Sequence, residues 1–171
     1  MCIRDRCTYL PIVKIDTDGV EIPGRPIKDD GNNRIYTCAA DGETTIAAQM
    51  DIIGNDSKEC HHANETADVS SAIRIRMRGN SSRAFDKPSY AIRLVDEEGE
   101  NNPLSIMGMD AHHEWVLYGP WLDKTAIRNY MFYNLAGEMM SYAPNVRFCE
   151  VILNGEYEGL YVMTEVITGG K

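Results

Sequence analysis

Residues 71–90 read Ser-Ala-Ile-Arg-Ile-Arg-Met-Arg-Gly-Asn-Ser-Ser-Arg-Ala-Phe-Asp-Lys-Pro-Ser-Tyr, and the alternation in this stretch decides how the rest is read. Ile73, Ile75 and Met77 fall on one side, and Arg74, Arg76 and Arg78 on the other. A strand has a side-chain period of two, so this predicts a half-buried strand with a basic outer face. Gly79-Asn80-Ser81-Ser82 breaks the pattern, and a second alternating strand follows with Tyr90, Ile92 and Leu94 on one face. The connection between them carries exposed backbone N–H groups, hydroxyls and the cations Arg78, Arg83 and Lys87. That makes it a candidate anion cradle. The plain alternative is a hairpin connection whose cations are simply solvated. The run does not match a Walker loop, which needs Gly-x-x-x-x-Gly-Lys-Ser/Thr opening a helix. Nor does it carry the three glycines of the protein-kinase phosphate loop.

Upstream, Leu10 to Ile15 reads as a short strand, Asp16-Thr17-Asp18-Gly19 as a turn, and Val20 to Ile22 as a returning partner. The turn has the start of a calcium loop. It lacks the third acidic position, and Ile27 stands where the twelfth-position Glu is needed, so calcium is set aside. Residues 23–43, with Pro23, Gly24, Pro26, Gly31 and Gly42, read as a surface excursion. Thr44 to Ile53 reads as a strand. Residues 54–70 read as a polar loop whose Cys60-His61-His62 run points successive side chains apart, which favours a solvated loop over a metal site.

Downstream, Asp96 to Pro103 reads as an acidic turn, and Glu114 to Leu117 as a further strand. Trp115 and Trp121 flank Gly119-Pro120, which reads as a packed corner; the sharper alternative is an aromatic platform for a base. One helix is expected from about Asp123 to Met140. Asp123 is a good N-cap, and Ile127, Met131, Leu135 and Met139 recur every four residues, widened by Ala126 and Tyr130. Gly137 costs that helix about 1 kcal/mol relative to Ala. Val146 to Leu153 and Glu156 to Met163 are joined by Asn154-Gly155, the sequence of a type I′ hairpin turn.

A chain of 171 residues with 43% hydrophobic side chains has enough apolar material for one sizeable domain, taken as residues 7–171. The net charge of −9 argues against a general nucleic-acid binder and makes the arginines of 74–83 a local basic feature on an acidic body. No window offers a transmembrane helix, and the N-terminus lacks the apolar core of a signal peptide. Met1 to Arg6 resembles translated adapter sequence and is read as a non-native leader. The five cysteines give no disulfide framework and no Cys-x-x-Cys knuckle. Setting Cys2 aside leaves four, which allow two bridges without implying them.

Three blocks together resemble the CotH kinase family of spore-coat protein kinases and their relatives. They are Arg-Met-Arg-Gly-Asn-Ser-Ser-Arg-Ala-Phe-Asp-Lys-Pro-Ser-Tyr-Ala-Ile-Arg-Leu at 76–94, Trp115-Val116-Leu117 with Asp123-Lys124-Thr125-Ala126-Ile127-Arg128-Asn129, and Leu153-Asn-Gly-Glu-Tyr-Glu-Gly-Leu-Tyr-Val-Met-Thr-Glu165. The resemblance implies an α+β, atypical protein-kinase-like fold of mostly antiparallel strands with one main helix at about 123–140. It implies a kinase dependent on ATP and magnesium that phosphorylates Ser or Thr of Ser/Thr-rich spore-coat or cell-surface proteins. The alternative is a non-catalytic coat or adhesin-like surface module. A glycan-binding module is a weaker third option, hinted at by Trp115 and Trp121. Positions matching the family's motifs include Arg78, Ser81, Ser82, Lys87, Tyr157, Tyr161 and Glu165 as cofactor-binding candidates, with Gly79, Asn80, Arg128 and Asn129. By kinase logic Lys87 would neutralise ATP phosphates and Glu165 would orient it or help hold metal, with Lys124 as rival to Lys87. One departure is that Lys87 is followed by Pro88, where members carry two basic residues before the Ser-Tyr. No metal ligand is assigned. The family's catalytic and metal-binding aspartates are expected downstream of Lys171, so the chain reads as a fragment truncated before the catalytic part and inactive alone.

Overall fold

The computed structural model describes residues 7–29, 34–56 and 58–167. Seven of its nine strands form one closed barrel. They are β1 (Ile12–Asp16), β4 (Ile46–Ile53), β5 (Val69–Arg78), β6 (Ser89–Val95), β7 (Glu114–Tyr118), β8 (Val146–Leu153) and β9 (Glu156–Glu165). The order around the barrel is β1-β4-β5-β6-β7-β9-β8. Neighbours are antiparallel except β1 and β8, which run parallel and close the ring with Ile12 opposite Glu150 and Ile15 opposite Leu153. Closure leaves these strands no free edge. Strands β2 (Pro26–Asp29) and β3 (Arg34–Tyr36) form a separate two-stranded sheet.

The alternation of 71–95 is what the barrel uses. Ile73, Ile75 and Met77 face inward with Tyr90, Ile92 and Leu94, while Arg74, Arg76 and Arg78 lie outside. Val13 and Ile15 of β1, Met50 and Ile52 of β4, and Trp115, Leu117, Cys149, Val151, Tyr161 and Met163 of β7, β8 and β9 join them in the interior. A smaller cluster, Ile12, Ile53 and Ile152, packs outside the barrel across the β4–β1–β8 seam. The β8–β9 hairpin turns at Asn154 (φ +50°) and Gly155 (φ +81°), as a type I′ turn requires.

The expected fold class is therefore corrected. The architecture is a β-barrel with one short helix, not an α+β kinase-like fold. The physical reason is a non-local pairing. Strand β1 inserts between β4 and β8 and turns what local pattern suggests is an open sheet into a ring.

The helix, α1, is Arg128–Met139 rather than 123–140, and none of its residues is buried. Ala126 adopts φ +58°, which breaks the helical path just after Asp123. Asp123 still serves the helix start from five residues away: its carboxylate accepts from the backbone N–H of Arg128 at 2.9 Å.

Other expectations shift similarly. Val20 to Ile22 forms no strand; Thr17 Oγ1 instead donates to the Val20 carbonyl at 2.8 Å. The 54–70 loop is not wholly solvated, because Cys60 is disulfide-bonded to Cys7 and His61 is buried. The buried His61 ring lies against Gly54, where a side chain would have no room. The leader assigned to residues 1–6 lies outside the described residues. Among the described residues, no helix is long and apolar enough to cross a membrane.

Candidate anion and nucleotide site

The connection between β5 and β6 is built by local chemistry. At Gly79 (φ +106°) the chain turns into a conformation that disfavours side chains, and a Cβ there would collide with the Ser82 hydroxyl. A single 3-10 turn follows at Ser81–Ala84. Arg83 Nε donates to the Gly79 carbonyl at 2.7 Å, and its guanidinium lies 4.3 Å from the centre of the Tyr36 ring. Asn80 Oδ1 accepts from the Tyr36 hydroxyl at 3.2 Å and from Arg34. The small β2–β3 sheet thus clamps one side of the loop.

On the other side runs the segment after β7. Gly119 N–H donates to Ser89 Oγ at 3.0 Å. A Cβ on Gly119 would come within 2.7 Å of the Pro88 carbonyl oxygen and 2.9 Å of the Lys87 carbonyl oxygen. The Gly119-Pro120 bend is therefore the packed corner read from the sequence. It also turns Trp121 toward the loop. Between the two segments lies a cavity of about 240 Å³ lined by Arg78, Ser82 and Phe85 on one side and Tyr118, Trp121 and Leu122 on the other. Lys124 Nζ lies 4.7 Å from the centre of the Trp121 ring. Among the described residues nothing pairs with the exposed Arg78 guanidinium, which leaves its donors for an anion.

Lys87 has a different setting. Its Nζ donates to the Glu158 carbonyl at 2.8 Å and lies 4.4 Å from the centre of the Tyr161 ring. The ammonium fits because position 159 is glycine (φ +86°), whose missing Cβ would stand 3.2 Å from Nζ. Burial holds the Lys87 ammonium below its ordinary pKa, opposed by the negative charge of Glu158. The Tyr161 and Tyr90 rings stack at 6.2 Å. Burial pushes the Tyr90 phenol up to about 12 and the Tyr161 phenol higher, each raised further by Glu158.

Glu165 is buried elsewhere. It accepts from Asn145 N at 3.2 Å and Asn145 Nδ2 at 2.9 Å and lies in register with Trp115, several rungs from Lys87. The expected Lys87–Glu165 pair is thus not formed; each side chain has another partner.

The structure brings Arg78 and Ser82 together with Trp121, and Lys87 together with Tyr161. Ser81 sits exposed in the 3-10 turn, Tyr157 is exposed on β9, and Arg128 Nε lies 3.5 Å from Asp123. Phe85, Tyr118 and Leu122 were not singled out by sequence. Nothing in their local pattern marks them, because their role comes from the meeting of two separate segments, 78–85 and 118–122. Among the described residues no group of three or more His, Cys, Asp or Glu could hold a metal ion.

Residues 75–170 match the family model described as CotH kinase protein. No curated protein matches the chain.

Proposed function

Since this chain belongs to the CotH kinase family, we propose that its protein is an ATP-dependent kinase acting on serine or threonine hydroxyls of Ser/Thr-rich spore-coat or cell-surface proteins. The observation that carries this reading is the shared cavity: the unpaired Arg78 and the Ser82 hydroxyl face Trp121 across it. Arg78 and the N–H groups of the Gly79–Ser82 turn would hold phosphate oxygens, and the Trp121 ring would offer a face to the base. ATP supplies the phosphoryl group when bound. Magnesium belongs to the proposal by family; the described residues do not fit a metal, so no step is assigned to one here. Lys87 is better suited to supporting the barrel mouth than to holding phosphate, since the Glu158 carbonyl already takes one of its donors. The Cys7–Cys60 bridge supports an oxidising, extracellular or coat setting.

The second reading, a non-catalytic coat or adhesin-like module, is favoured by that same occupied Lys87. Tryptophan fluorescence separates the two, because Trp121 lines the cavity while Trp115 is sealed in the core. ATP should change the emission saturably, and Arg78→Ala should weaken binding by about tenfold or more, the worth of a hydrogen bond to a charged group. Emission that is indifferent to ATP in the natural protein with magnesium present overturns the kinase reading in favour of the binding module.

A further inference from the structure

The outer face of β5 and β6 carries a second, larger groove of about 590 Å³. Its floor holds Arg74, Arg76, Arg78 and Arg93, against the carboxylates of Glu43 and Glu114. Glu114 is committed to Arg93 at 2.8 Å. Among the described residues nothing hydrogen-bonds or ion-pairs with the half-buried Arg74 and Arg76. Arg74 also stands directly opposite Arg93 across the ladder. Like charges in that position work against the sheet. The fold thus keeps a row of guanidiniums where an acidic body has few, at some cost to itself.

The spacing identifies what fits. Arg74 and Arg76 alternate along one strand, so their guanidiniums stand about 6.7 Å apart. An extended peptide presents every second side chain at the same interval. Guanidinium groups take phosphate oxygens two at a time. We propose that this groove binds an extended, doubly phosphorylated Ser/Thr-rich segment of a protein, with phosphates on alternate residues, one on Arg74 and one on Arg76. The proposal rests on the kinase reading and extends it: a segment phosphorylated at one residue would be held while its neighbours react. A short segment is favoured over nucleic acid because the acidic turn at Asp96–Glu100, whose Gly99 borders the groove, would repel a long polyanion running past it.

The test is a binding titration of the natural protein with a fluorescent peptide carrying two phosphoserines at alternate positions. The same peptide without phosphate and a single-stranded oligonucleotide of equal charge are run beside it. The phosphopeptide should bind, the plain peptide should not, and affinity should fall as salt rises. Arg74→Gln with Arg76→Gln should weaken binding at least about tenfold, since each removes charged hydrogen bonds. Thermal melting should show the double variant at least as stable as the parent, because the Arg74–Arg93 opposition is relieved. Should that variant unfold, Arg76→Lys keeps the charge, loses the fork and should still weaken binding. Unchanged phosphopeptide affinity in the folded variant, equal binding of the plain peptide, or tighter binding of the oligonucleotide overturns the proposal. The ATP-dependent Trp121 signal is read on the same samples. If that signal is missing while arginine-dependent phosphopeptide binding persists, the groove stands and the nucleotide reading falls; the reverse pattern sinks the groove alone.

Discussion

Ile75 in β5 is fully buried, whereas Leu135 and Met139 in α1 are 50% and 78% exposed, although all three sit in regular apolar patterns. In the barrel, the two-residue period of each strand meets the same period from six other strands, and the ring seals them together. In the helix, Tyr130 stacks its ring on Phe148 at 4.4 Å, but Ile127, Met131, Leu135 and Met139 stay exposed. An apolar pattern is an offer of burial, and only a facing surface turns it into stability. The barrel is accordingly held by packing, whereas α1, with no buried residue, draws on the Asp123 carboxylate and the Tyr130–Phe148 stack.

This contrast can be broken by matched truncations. Ile75→Ala should cost about 2–5 kcal/mol in urea denaturation, because it removes methylenes from a closed interior and leaves a cavity. A loss under 1 kcal/mol would mean the barrel is looser than its burial implies. Reducing the Cys7–Cys60 bridge comes next, at about 2–4 kcal/mol, because it frees the segment before β1 from the loop between β4 and β5. Equal melting with and without reductant would show that β1 is held by its strand pairings alone.

The helix answers to pH instead. The Thr125 hydroxyl is the main cause holding the Asp123 carboxyl below its ordinary pKa, with the N–H groups of Arg128 and Thr125 and the Arg128 charge adding to it. A depressed folded pKa means the contribution is complete above the ordinary aspartate range and is lost as pH falls through the lower folded value. Helical circular dichroism should therefore fade first at low pH, and Asp123→Asn should flatten that acid limb. An unaltered limb in the variant would remove Asp123 from the account. The smallest effect is expected at Leu135→Ala, within about 0.5 kcal/mol, as for exposed positions elsewhere. A cost like that of Ile75→Ala would mean α1 is covered in solution.

The candidate site shows the same division. Arg78 and Ser82 were legible because they belong to one continuous loop whose composition is unusual. Trp121 was legible as part of a packed corner, and it lines the cavity with Arg78 and Ser82. The Lys87–Glu165 pair was not formed because kinase logic fixes which residue types meet, not how many rungs of a barrel separate them. Lys87 found the Glu158 carbonyl through the gap left by Gly159, a contact between positions 71 residues apart.

Local periodicity was enough to place Arg74, Arg76 and Arg78 outside and Ile73, Ile75 and Met77 inside, because a strand's two faces follow from backbone geometry alone. The Asn154-Gly155 turn was likewise determined in the sequence, since its positive φ angles suit few other residues. Ring closure, the disulfide, the shortened helix and the seat of Lys87 were decided only in three dimensions. All but the helix depend on two distant segments arriving at the same place: β1 beside β8, Cys7 beside Cys60, Gly159 beside Lys87; the helix is shortened locally, by the positive φ of Ala126. The chain states its local preferences in order, but the partner that satisfies each one is chosen by the whole barrel.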